Sequence, residues 1–232
     1  MRKSAFLLCL VPVLAFGSSV TFFTPSGSTT SGGPVSDQVS FTTTAGSLVI
    51  TLTNLQPNPT DVAQLLSDLS FTLSNGSLAG SSLGSNTGQN ITVNDGGTFA
   101  LGSTVSTGWE YSFSSNTSGL LNVLGTPIGP AHLIIGPPGG ATYVNANGSI
   151  AGIGPHNPFL NQTAMFTVTG GGITADTTIT GATFSFGTNP DLPPGTTVVG
   201  VVPEPRTTGL MISTLGLIGI LQYRRKKAQS AV

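Results

Sequence analysis

Positive charge is almost missing from this chain. Of 232 residues only seven are Lys or Arg, and all seven lie near the ends: Arg2, Lys3, Arg206, Arg224, Arg225, Lys226 and Lys227. Residues 20–201 hold seven acids and no Lys or Arg. Phosphate neutralisation needs basic side chains, so this stretch is unsuited to nucleic acid. A Lys Schiff base, a P-loop Lys and an Arg clamp are excluded with it. No Lys or Arg salt bridge can form within the stretch, so its stability must come from apolar burial and hydrogen bonds.

Cysteine is nearly absent too. Cys9 is the only one, and it sits in an apolar run near the start. A chain trimmed of that run has no disulfide and no thiol chemistry. Histidine is limited to His132 and His156. Charged residues make up 6% of the chain, against about 25% in an average soluble domain. Ser and Thr fill the gap at a quarter of the residues, with 32 Gly and 16 Pro between them.

The N-terminus has the pattern of an export signal. Arg2 and Lys3 precede the apolar run Ala5–Phe16, and small residues follow it. Ala15-Phe16-Gly17 and Gly17-Ser18-Ser19 are two equally good frames for cleavage by signal peptidase, which places the signal at residues 1–19. Leu8 before Cys9 is too large for a lipoprotein site.

The C-terminus has three parts in order. Val202-Pro203-Glu204-Pro205 is held extended by its prolines. The apolar run Gly209–Leu221 then predicts a helix. Thr207–Tyr223 would reach about 25 Å, a short membrane span. Arg224, Arg225, Lys226 and Lys227 mark its cytoplasmic side. Over residues 202–227 this end resembles the PEP-CTERM sorting signal of Gram-negative bacteria, which is also labelled an ice-binding protein C-terminal domain. The resemblance implies processing near Pro203, Glu204 and Pro205 by an exosortase, a membrane enzyme that passes its substrate to the cell surface. It also implies a link to exopolysaccharide and biofilm. The three residues would then be substrate, not catalyst.

Residues 20–201 predict an all-β domain. Period-two alternation marks strands at Ser47–Leu52, Leu69–Leu73, Trp109–Phe113, Ala164–Val168 and Ala182–Phe186, and further short runs lie at Val20–Phe23, Val39–Thr43, Ile91–Val93, Thr98–Leu101, His132–Ile135 and Val198–Val202. Such a set suggests an antiparallel β-sandwich, jelly-roll-like, flanked by the signal peptide and a C-terminal transmembrane helix. One short helix is expected over Asp61–Leu69, where Val62, Leu65, Leu66 and Leu69 share a helical face. Asp61 and Gln64 would form its capping box. Gly76–Gly88 reads as a flexible loop. Wording such as GPHNPFL and ITADTTITGATFSFGT is similar to a recurrent secreted type among PEP-CTERM proteins, and implies a single β domain with no assigned chemistry.

Candidate chemistry is sparse. Gly80-Ser81-Ser82-Leu83-Gly84 matches a nucleophile elbow but lacks a strand before it and a helix after it. His132 or His156 could serve a Ser-His-Asp triad, the hydrolase alternative. No metal motif is present, although Asn94, Asp95, Asp176, Asn189 and Asp191 offer hard oxygens for a structural calcium. Trp109, Glu110 and Tyr111 could form a sugar-stacking platform for extracellular polysaccharide, yet Trp109, Tyr111 and Phe113 also share one core-like face. A Thr-x-Thr ice-binding repeat is missing. The reading that fits best is a non-enzymatic exported protein of the cell surface or matrix. A carbohydrate-binding module is the first alternative.

Overall fold

A computed structural model describes residues 17–124, 132–152, 156–188 and 197–202. The chain divides into two units, Met1–Val201 and Val202–Val232. The leader run, Pro203-Glu204-Pro205 and the basic cluster Arg224–Lys227 lie outside the described residues. Among those described, no helix is long and apolar enough to cross a membrane.

The body is all-β. Its strands are β1 Ser19–Phe23, β2 Thr29–Thr30, β3 Gly33–Pro34, β4 Asp37–Thr44, β5 Ser47–Asn54, β6 Leu66–Leu73 and β7 Ser82–Val93. They continue as β8 Phe99–Ser106, β9 Glu110–Ser115, β10 Ser118–Asn122, β11 Ile134–Ile135, β12 Phe159–Thr169, β13 Ile179–Phe186 and β14 Thr197–Val199. Apart from the small β2–β3 ribbon, these strands belong to one large sheet.

The sheet has two runs. The first is β1–β4–β5–β12–β7–β8, antiparallel throughout. The second is β14–β13–β6–β10–β9, also antiparallel. β11 links them, lying parallel to β12 and antiparallel to β6. Phe41 of β4 meets Phe71 of β6 with ring centroids 5.5 Å apart, so the runs face each other across a core.

Period-two patterning explains which face is buried. In β5 every second residue is fully buried: Leu48, Ile50, Leu52 and Asn54. β4 does the same with Asp37, Val39, Phe41 and Thr43. The alternation leaves Ser, Thr and Gln on the outer face, which needs no cations to stay solvated.

The two margins of this arrangement differ. On one side, β1 and β14 are bridged, because Phe23 and Val201 exchange hydrogen bonds of 2.8 and 2.7 Å. On the other side, among the described residues, β8 pairs only with β7 and β9 pairs only with β10. That margin stays open.

Two local expectations are corrected, and one strand, β10, is added. The helix expected over Asp61–Leu69 is a single 3-10 turn, Val62–Gln64. Its capping box is present: Asp61 Oδ1 accepts from the Ala63 amide at 2.8 Å, and Gln64 Oε1 accepts from the Asp61 amide at 3.2 Å. After that turn, β6 pairs with both β10 and β13, and two full ladders outweigh one amphipathic turn. Half of the loop expected at Gly76–Gly88 is strand, since β7 runs along β12 from Ser82. β10 carried too few alternating residues to stand out. Gly119 is there because Phe71 leaves no room: a Cβ at that position would lie 2.4 Å from the Phe71 ring.

Candidate functional site

The open margin contains a concave feature. It is built outward from Asn86 on β7. Asn86 Oδ1 accepts from Ser106 Oγ at 2.6 Å, from the Thr107 amide at 2.9 Å and from Thr107 Oγ1 at 3.1 Å. This fixes the three-residue link between β8 and β9. Thr107 Oγ1 in turn accepts from the Trp109 amide at 3.2 Å.

Trp109 then plugs the core. It is 2% exposed, packs on Phe166 with centroids 5.3 Å apart, and donates from Nε1 to the His132 carbonyl at 2.8 Å. His132 closes the circuit through Nδ1, 3.1 Å from the Thr107 carbonyl. Burial pushes the His132 imidazole below its ordinary value, opposed by the Thr107 and Ser106 carbonyls.

Outside this network lies a cleft of about 420 Å³ lined by Leu83, Asn86, Ser106, Gly108, Trp109, Glu110 and Tyr111. Trp109, Glu110 and Tyr111 therefore do share one cleft. Trp109 offers no open ring face there, because that ring belongs to the core. Tyr111 is half-buried, with its hydroxyl 2.9 Å from Ser81 Oγ. Burial pushes the Tyr111 phenol up, and the Ser81 bond partly opposes this. Glu110 points to the opposite sheet face from its two aromatic neighbours by strand parity. The cleft can hydrogen-bond a neutral polyhydroxylated ligand through the Asn86 amide and the Ser106 and Tyr111 hydroxyls.

The hydrolase residues are not brought together. Ser82 is the first residue of β7, in register with Thr169, and so lies in a regular ladder. Among the described residues neither His132 nor His156 bonds a Ser or Asp side chain.

The calcium candidates are also separate. Asp95 opens a 3-10 turn after Asn94, while the Asp176 carbonyl accepts from Asn75 Nδ2 at 2.7 Å. Asn189 and Asp191 lie outside the described residues. Among the described residues no three His, Cys, Asp or Glu side chains converge.

Two other acids matter more. Asp37 and Asp68 are each 1% exposed, and among the described residues no side chain bonds their carboxylate oxygens. Burial raises Asp37 well above the usual carboxylate range. Burial also raises Asp68 to about 7, opposed by the Val123 amide nearby. For Asp37 the signal was in the sequence, in phase with Val39 and Phe41. For Asp68 it was hidden by the helical reading, which put that residue on a polar helix face.

Comparison with protein-family models, curated proteins and solved structures finds no match.

Proposed function

We propose that this chain is a non-enzymatic exported protein of a bacterial cell surface or extracellular matrix. In this reading the two facing runs form a jelly-roll-like β-sandwich, delivered by an N-terminal signal and sorted through residues 202–227. The observation that carries it is the C-terminal order of Val202-Pro203-Glu204-Pro205, apolar run and basic cluster Arg224–Lys227. The body supports it. Its exposed strands β8 and β9 are rich in hydroxyls, and with no Lys or Arg it suits a hydrated polysaccharide surrounding.

The precursor would be anchored in the inner membrane and then processed by an exosortase-type enzyme. The test is fractionation of the organism of origin, expressing either the full chain or a deletion of Val202–Val232. The full chain is expected at the surface or in the matrix, trimmed at both ends. The deletion should lose surface retention. Recovery of the full chain in the cytosol with its N-terminus intact would overturn the proposal.

A second reading, a carbohydrate-binding module, draws on the cleft at the open margin. It places a neutral saccharide against Asn86, Ser106 and Tyr111. A glycan array should then give a signal that Tyr111→Ala weakens at least tenfold, and an array with no signal removes this reading.

A further inference from the structure

The buried carboxylates raise a question of charge balance. Residues 4–205 contain no Lys or Arg, so no such side chain of the body can neutralise them. Leaving a carboxylate buried without a partner is costly, and such groups are normally paired, protonated or metal-bound.

Asp68 differs from Asp37 in the face it occupies. Leu69, Phe71 and Leu73 of β6 point into the core, so Asp68 points outward from the second run. Register sets its neighbours. Asn122 of β10 stands opposite it on one side and Ser185 of β13 on the other. Glu110 of β9 stands opposite Asn122. Directly opposed residues share a face, so four oxygen-bearing side chains form one row across four strands.

None of these four is fully exposed, although they lie on the outer face. The chain leaving β10 runs beside the row: the Val123 amide bonds the Ser67 carbonyl at 3.2 Å, and the Leu124 amide bonds Asn122 Oδ1 at 2.5 Å. A carbonyl oxygen has a second lone pair, so Asn122 can still ligate. Strand spacing puts the Cα atoms of Asp68 and Glu110 about 10 Å apart. A cation above Asn122 could then be reached by both carboxylates.

We propose that Glu110, Asn122 and Asp68 of this row bind a calcium ion, with the Asp68 carboxylate as its principal ligand and Ser185 flanking the site. The donors are all hard oxygens, with no imidazole or thiolate, which suits Ca²⁺ over zinc or copper. Two carboxylates would offset the charge of the ion, and the unpartnered oxygens of Asp68 would gain ligand bonds. The site is independent of the sorting signal, and its donor side chains lie on the opposite sheet face from Tyr111 of the cleft.

The test uses the full-length chain in detergent, stripped with a chelator and then titrated with CaCl₂ by calorimetry and thermal unfolding. One binding event is expected. At a hundredfold excess over Kd, Tm should rise by about 5 °C or more. Asp68→Asn should abolish both signals, and Glu110→Gln should weaken binding at least tenfold. Asp95→Asn and Asp176→Asn should leave it unchanged. Asp68→Asn removes a buried charge, so in chelator it should melt no lower than the parent, which separates loss of the ligand from loss of the fold. Absence of heat and of a Tm shift in the parent would overturn the proposal, as would a calcium response that survives Asp68→Asn or disappears with Asp95→Asn or Asp176→Asn.

Discussion

The two margins of the sheet solve the same problem in opposite ways. Where β1 meets β14, the edge is closed by backbone, through the Phe23–Val201 exchange. Where β8 and β9 end, no ladder joins the runs, and the gap is held by side chains: Trp109 against Phe166, Asn86 on the Thr107 link, Tyr111 on Ser81. Backbone closure needs little from the sequence. Side-chain closure needs particular residues, so it leaves a shaped cleft. The difference teaches that the open margin depends on the identity of a few side chains, where the closed one depends on backbone.

The sharpest way to break the comparison is Trp109→Ala. It should cost about 3–5 kcal/mol, read by urea unfolding, because it opens a cavity and strands the His132 carbonyl. A loss below 1 kcal/mol would mean that the open margin does not depend on its plug.

Next comes pH. In the metal-free protein Asp68 is raised from 3.8 to about 7. The folded state therefore holds that proton more tightly than the unfolded chain does. Stability should be highest below about pH 4 and fall by a few kcal/mol as pH rises to about 7, with Asp37 extending the decline in the same direction. Denaturant midpoints measured from pH 4 to 8 in chelator check this. A midpoint that rises over that range would reverse the sign.

Gly119→Ala, on β10 beneath Phe71, should cost about 1–3 kcal/mol through overpacking. Calorimetric Tm is the readout, and an unchanged Tm would show that the ring can move aside. The smallest of these effects belongs to the closed margin. Val201→Pro deletes one backbone donor to Phe23 and should cost about 1 kcal/mol. Amide exchange should then rise along β14, and exchange that stays as slow as before would mean that the bridge contributes nothing to closure.

Much of the body was legible in sequence, because half-buried antiparallel strands alternate. β4, β5, β12 and β13 follow from Val39 and Phe41, Ile50 and Leu52, Phe166 and Val168, Phe184 and Phe186. β6 was partly misread, since Val62, Leu65, Leu66 and Leu69 satisfy a helical period and Leu69, Phe71 and Leu73 a strand period. Long-range pairing decided between them. The start of β7 was invisible because Ser82, Gly84 and Ser85 have no apolar signature, and only their ladder to β12 makes them strand. The cleft residues Trp109, Glu110 and Tyr111 were found by type. Asn86, Ser106 and the alignment of Asp68 with Asn122 and Glu110 were not, because register across several strands is not written in any one segment.

The bridge at Phe23 has a mechanical consequence. β14 is three residues long and is followed within two residues by the bonded Val201. A pull on the chain beyond Val202 would load that single rung first and then the short ladder to β13, bond after bond. Tension entering from that end would unzip the last strand before it reached the aromatic interior.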